Sequence, residues 1–248
     1  MSQRCKWLHE NIENLPSIRY PFTLQKLPHN GIYFFYEEGE NSNHSDKLWE
    51  EEGATDNFKP RIVRIGTHRE NNFRSRIAEH FLLDESKMNF TIANSKPSDR
   101  SIFRKNIGRA LLHRKNDYYQ KMWEIDFTSK HNRIDRGIMR NIEKEKQVES
   151  EITKLLRDNF YFRYISFEGQ ARRIGTLGIE SKLIGTVASC KWCRPSNKWL
   201  GKDSPIPEIA SGKLWLSQHL TASGLTEQDK SEIENAIIKT REFLGSSR

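Results

Sequence analysis

The stretches NGIYFFYEEGE (30–40) and KPRIVRIGTHRENNFRSRIAEHF (59–81) decide how this chain is read. In the first, Ile32, Phe34 and Tyr36 alternate with Tyr33 and Phe35, the period of two expected of a strand with one face on a core. RIVRIG repeats the pattern, with Val63 and Ile65 set against Ile62 and Arg64. Past Gly66 the period changes. Phe73, Ile77 and Phe81 fall at i, i+4 and i+8, an apolar helical stripe, and Arg76 and His80 stand four apart beside it. Two strands therefore deliver the chain into a helix that carries a guanidinium and an imidazole on one face, near the edge of the core.

Between the strands, EEGENSNHSDKLWEEEGATDN is acidic and rich in turn formers, which predicts a long loop beginning at Glu37. From Glu37 to Asp56 eight acidic residues face Lys47 alone, a local charge of −7. The formal net charge of the chain is +8, so its other residues carry +15. With a pI of about 9.3, the field favours polyanions such as nucleic acid or an acidic membrane surface. The 248 residues are 35% hydrophobic with a mean hydropathy of −0.81, which fits one compact domain with insertions. No window approaches the roughly 18 to 20 apolar residues of a membrane span, and MSQRCKWLHENIENLP has no long apolar run. A soluble cytoplasmic protein is expected. Three cysteines are too few for a disulfide framework in a chain of this size, which suits a reducing compartment.

Further along, SIFRKNIGRALLHRKN predicts a helix with Phe103, Ile107, Ala110 and Leu111 inward and Arg104, Lys105, Arg109, Arg114 and Lys115 outward. HNRIDRGIMRNIEKEKQVESEITKLLRD repeats Ile134, Ile138 and Ile142 every four residues beside a basic row of Arg133, Arg136 and Arg140. NFYFRYISFE (159–168) alternates as a third strand, and GTLGIESKLIGTVAS reads as a helix burying Leu183, Ile184 and Val187. TEQDKSEIENAIIKTREFL closes the chain as an amphipathic helix with Thr226 as its cap.

In this order, Gly31-Ile32-Tyr33 on a first strand, Ile65-Gly66 ending a second, Arg76 in the next helix and Glu180 in a later one, the chain resembles the GIY-YIG endonuclease family. The likeness runs from about Asn30 to Asn197, and SIFRKNIGRALL and SNKWLGKDSP are similar to segments of bacterial members. One position departs: Arg64 stands where the family name has the tyrosine of YIG. The resemblance implies an α/β (α+β) fold, a small three-stranded antiparallel sheet flanked by helices, with helical insertions and terminal helices. It divides the chain into an N-terminal helical extension (1–29), a nuclease domain (30–200) with insertions at about 37–58 and 114–158, and a C-terminal helical extension (201–248).

What the resemblance implies for chemistry is phosphodiester hydrolysis in double-stranded DNA with one divalent metal, Mg2+ or Mn2+. Such hydrolysis needs an activated water, neutralised phosphoryl oxygens and help for the leaving oxygen. Tyr33, carried over from the family's first tyrosine, accepts the water's proton in this scheme. A phenol with an ordinary pKa of about 10 is a poor base at neutral pH, so positive charge from Arg64, Arg76 and the metal is required. His80 is expected to relay the proton or share the base's work. Arg76 matches the helical arginine whose guanidinium fork suits a phosphate. Glu180 matches the metal-binding glutamate, a hard ligand for a cation that completes its shell with water and phosphate. Asn197 is taken as the late asparagine that helps hold the phosphate.

Arg104, Arg109, Arg133, Arg136 and Arg140 are candidates for tracking DNA phosphates, although rows of charge on helices are commonly solvated faces. Cys190 and Cys193 form a lone CKWC. Structural zinc needs four ligands and no second cysteine pair completes it, so thiols are expected there. Tyr36 and the late tryptophans Trp192, Trp199 and Trp215 read as packing. The leading reading is a metal-dependent endonuclease, of restriction type if the additional length carries sequence recognition. A palindromic target would favour a homodimer. The alternatives are a DNA-binding protein on the same fold that does not cut, which Arg64 in the tyrosine's place keeps open, and a basic interaction protein carrying the motif by chance.

Overall fold

A computed structural model describes residues 2–42 and 59–246. Strands β1 (Ile18–Arg19), β2 (Gly31–Ser42), β3 (Lys59–Gly66) and β4 (Phe160–Ser166) make one antiparallel sheet in the spatial order β1-β4-β2-β3. The three expected strands are present, and the two-residue β1 adds a fourth by pairing with β4. Around them lie α1 (Ser2–Glu13), α2 (Phe73–Phe81), α3 (Ile102–Arg114), α4 (Ile142–Asn159), α5 (Ile179–Ala188) and α6 (Glu227–Ser246), with shorter helical turns between. No helix among the described residues is long and apolar enough to cross a membrane.

Both faces of the central strand are buried, so its alternation sorts residues between two cores rather than between core and water. Ile32, Phe34 and Tyr36 pack with α1, α5 and α6; Tyr33 and Phe35 pack with α2, α3 and α4. The register sets Tyr33 opposite Gly66 and Phe35 opposite Arg64, then shifts before Tyr36 meets Ile62. Val63 is the additional residue of this bulge, which breaks the simple alternation expected for RIVRIG: Val63 and Arg64 both turn toward the α2–α3 side. Beyond the bulge the outer edge of β3 is occupied, because Trp215 donates its backbone N–H to the Val63 carbonyl (2.8 Å).

The helices start where capping chemistry allows. Ser101 accepts the Arg104 N–H at the head of α3, Asn141 accepts the Lys144 N–H at the head of α4, and Thr226 and Asp229 satisfy each other's N–H groups at the head of α6. Phe73, Ile77 and Phe81 are buried as their spacing requires.

Several expectations are corrected. The acidic segment does not leave the sheet at Glu37: β2 continues to Ser42, with Glu40 buried on Arg61, and the remaining expected loop (43–58) lies outside the described residues. Arg104 and Lys105 do not face out. Arg104 is fully buried against Glu149, Thr153 and the His80 carbonyl, and Lys105 reaches the Glu124 carbonyl. Arg140 is buried on Glu145 as well. Conversely, Ile134 and Ile138 are exposed, because the helical pattern breaks between the short helix Lys130–Arg136 and α4.

Candidate active site

Tyr33 points from β2 into the space between β3 and α2. Its hydroxyl lies 3.0 Å from His80 Nε2, and His80 Nδ1 lies 2.8 Å from Ser101 Oγ. The spacing of α2 explains the approach: the turn that buries Ile77 and Phe81 brings the intervening His80 over the strand, where it is fully buried. A neutral imidazole donates through one nitrogen and accepts through the other, so the direction of the Ser101 hydrogen bond fixes what Nε2 offers Tyr33. His80 stays neutral over the physiological range, since burial first, and then Arg76, Arg64 and Arg104, hold its pKa well below that of an ordinary histidine.

Gly66, the last residue of RIG, is required by the same tyrosine. A Cβ there would lie 2.3 Å from the Tyr33 hydroxyl. Gly31 is similarly confined, its missing Cβ 2.6 Å from the Ile165 carbonyl and against Phe73. The two glycines of the motif are thus explained by close approach to a ring and a strand.

Arg64 is buried beside Tyr33 and interacts with it; its Nη1 donates to the Trp215 carbonyl (2.6 Å) and its guanidinium lies over the Phe103 ring. Burial pushes its pKa down from the ordinary arginine value, opposed by Tyr33. Its charge distinguishes it from its peers. Of the five buried arginines among the described residues, Arg61, Arg104, Arg140 and Arg173 have a carboxylate within ion-pair distance, and Arg64 has none. Removing a charge from water without a counter-ion costs several kcal/mol, on the order of 3–5 where a partner has been deleted.

Arg76 is partly exposed, its Nη1 donating to the Arg100 carbonyl (2.6 Å) and Glu79 (3.1 Å). Glu180 sits in the first turn of α5, accepting the Thr67 N–H at Oε1 (3.0 Å), while the Thr67 hydroxyl donates to the Gly31 carbonyl. Both motif strands therefore touch the segment that holds this carboxylate. Burial raises its pKa above the ordinary carboxylate value, against the Thr67 hydrogen bond and the charges of Arg64, His219 and Arg173. A carboxylate with one oxygen committed to a backbone donor fits a hard dication held through a single protein ligand and otherwise by water and phosphate.

The fold thus brings together Tyr33, Arg64, Arg76, His80 and Glu180. Asn197 is elsewhere: it is exposed, takes Lys202 Nζ on its Oδ1, and adjoins Ser196, which is tied to Glu40 toward the far end of β2. Tyr36 faces the opposite core, stacked on Tyr161. Trp199 and Trp215 are buried, and both indoles donate to Glu37 Oε2 (3.1 Å each). Arg109 is held by Glu124, and Arg133 is half-buried with its Nη1 on the Phe127 and Thr128 carbonyls, while Arg136 is exposed on the short helix Lys130–Arg136. Sequence reasoning missed Ser101, visible only as the cap of α3. It also missed His219, at a left-handed φ of 61° and close enough to influence the Glu180 carboxylate.

Comparison with known proteins gives one family. A model described as a GIY-YIG domain matches residues 6–242. No curated protein and no solved structure matches the chain.

Proposed function

We propose that this chain, which belongs to the GIY-YIG domain family of nucleases, is a divalent-metal-dependent endonuclease that hydrolyses phosphodiester bonds in double-stranded DNA. The observation that carries this reading is Arg64, buried beside the Tyr33–His80 pair with no carboxylate of the described residues in ion-pair distance and only the longer-range attraction of Glu180 to offset its charge. A buried cation without a carboxylate partner, next to a hydroxyl and a candidate base, is suited to an anion that arrives with the substrate.

In the proposed reaction Tyr33 accepts the proton of the attacking water as its own hydroxyl proton passes to His80 Nε2, 3.0 Å away. His80, with its Nδ1–H donated to Ser101, holds that proton at Nε2 only transiently and returns it through Tyr33 once the phosphodiester is cleaved, the leaving oxygen taking the water-derived proton. Arg64 stabilises negative charge that develops around the Tyr33 hydroxyl. Arg76 engages the non-bridging oxygens of the scissile phosphate with its guanidinium fork. Tyr33 keeps 1% of its surface exposed, so substrate must move part of its cover; the partly exposed Arg76 can exchange the Arg100 carbonyl for a phosphate. Glu180 is the protein ligand for Mg2+ or Mn2+, which when bound neutralises phosphoryl oxygen charge as a Lewis acid.

Site-specific cleavage of restriction type is supported by the material beyond the catalytic elements, including the basic short helix with Arg133 and Arg136, next to exposed Ile134 and Ile138. A cytoplasmic location and a homodimer that cuts both strands complete the reading. The second reading, a DNA-binding protein that does not cut, is favoured by Arg64 in the position of a motif tyrosine. Purified protein incubated with plasmid and phage DNA, with Mg2+ or with EDTA, separates the two. Discrete metal-dependent fragments lost in Glu180→Ala support the endonuclease; salt-sensitive binding without cleavage on varied DNAs supports the second reading.

A further inference from the structure

We propose that Cys5, His9, Cys190 and Cys193 form a closed tetrahedral zinc site that fastens α1 to the end of the helix carrying Glu180. CKWC has two ligand-bearing residues, and the fold brings two more to it from the other end of the chain. Cys5 and His9 are four apart on α1 and so project from one face. Cys190 and Cys193 follow directly on α5, against which α1 packs.

All four side chains are fully buried. The three sulfurs lie within 4.8 Å of one another, Cys5 Sγ is 3.5 Å from Cys193 Sγ, and Cys193 Sγ is 3.4 Å from His9 Nε2. A tetrahedral ion with Zn–S of about 2.3 Å and Zn–N of about 2.0–2.1 Å would separate its sulfurs by about 3.8 Å, and a sulfur from a nitrogen by about 3.6 Å. The Cys5–Cys193 and Cys193–His9 edges are within a few tenths of an ångström of these values, while the other sulfur edges lie within 4.8 Å and the His9 ring must swing toward Cys5 and Cys190 to close the tetrahedron. Three sulfurs and an imidazole nitrogen make a complete ligand set with no position for water, the composition of a structural rather than a catalytic zinc site.

The surroundings hold the ligands in place. The Lys213 ammonium donates to the carbonyls of Ala188 and Cys190, fixing the turn between the end of α5 and CKWC, and the Lys191 N–H donates to Ser2 Oγ beside Cys5. Around the cluster lie Leu8, Ile12, Val187 and Leu214, an apolar shell that excludes competing water. Binding converts the three thiols to thiolates with release of their protons, so occupancy should fall in acid. The cross-link ties residues 188 positions apart in sequence, without oxidation.

The test uses the full-length chain without a metal-binding tag, purified without chelator. Elemental analysis should find about one zinc per chain, and replacement by Co2+ should give the intense visible bands of a tetrahedral thiolate centre. The cobalt spectrum of the unsubstituted protein requires no variant to fold. Cys5→Ser and Cys193→Ser should each retain less than about a tenth of the metal, and zinc removal should lower Tm by about 10 °C. Glu180→Gln should retain full zinc, separating this centre from the nuclease cation. Absence of both zinc and the cobalt bands after refolding with metal would overturn the proposal. So would a disulfide among these cysteines detected by mass, or zinc retained by both serine variants.

Discussion

Arg61 and Arg64 are buried three residues apart on the same strand, and their surroundings are opposites. Arg61 meets the Glu40 carboxylate through Nε and Nη2 (2.9 and 2.7 Å), Ser196 donates to the same carboxylate, and Trp199 and Trp215 donate to the neighbouring Glu37. Arg64 has a carbonyl, an aromatic face and Tyr33, with no carboxylate of the described residues in ion-pair distance. One end of β3 uses a buried charge to hold the fold together; the other leaves positive charge unanswered beside groups that can move a proton. Burial of an arginine therefore says little by itself, and the missing counter-ion is the informative feature.

The largest effects should come from breaking the unanswered end. Tyr33→Phe and Arg76→Ala should each lower single-turnover cleavage about a thousandfold while DNA affinity changes little. Full activity in either purified variant would remove the proposed roles. Exchanging the two arginines in turn tests the contrast directly. Arg64→Met should reduce cleavage about a hundredfold with stability equal to or above the parent's, whereas Arg61→Met should cost about 3–5 kcal/mol by stranding Glu40. Chemical denaturation of both variants decides it, and equal destabilisation would erase the distinction.

The answered end has its own pH signature. Burial raises the pKa of Glu37 from 4.5 to about 7, more than the hydrogen bonds from Trp215 and Trp199 lower it. A carboxyl with a raised folded pKa contributes stability that is fully present below the unfolded value and lost as pH rises through the folded one. Between pH 4.5 and about 7 this amounts to about 3 kcal/mol. Glu37→Gln should flatten that part of the stability profile, and an unchanged slope in urea titrations at several pH values would locate the effect elsewhere. The smallest change expected is at the periphery: Arg133→Ala and Arg136→Ala should each lower the slope of log affinity against log salt by about 0.9 if they meet phosphates.

The elements around the site were legible because their signals are local. Alternating Ile32 to Tyr36, the stripe of Phe73, Ile77 and Phe81, and the change of period at Gly66 all lie within single windows, and they locate Tyr33 against the helix of Arg76 and His80. What failed depends on partners distant in sequence. Arg104 reads as an outward charge until Glu149, 45 residues on, is seen to receive it. The bulge at Val63 is accompanied by the Trp215 backbone, and Ser101 joins His80 only because α3 begins beside α2. Asn197 matched a late asparagine by order in the chain, but its environment is Lys202 and the Glu40 end of β2. The cysteines teach the same lesson, since half of their neighbourhood comes from the opposite terminus.

Lys213 and Trp215 border β3 for a reason besides chemistry. The sheet ends on one side in the two-residue β1 and on the other in β3, whose Val63 carbonyl is taken by the Trp215 N–H while Arg61 and Arg64 grip the carbonyls of Lys213 and Trp215. A segment laid along the middle of an edge strand interrupts the row of backbone groups that a strand from another molecule would pair with, one of the ways sheet edges are kept from edge-to-edge association. The same short segment that steadies Arg64 therefore also blocks part of the sheet edge, and loosening it should raise light scattering in concentrated solutions.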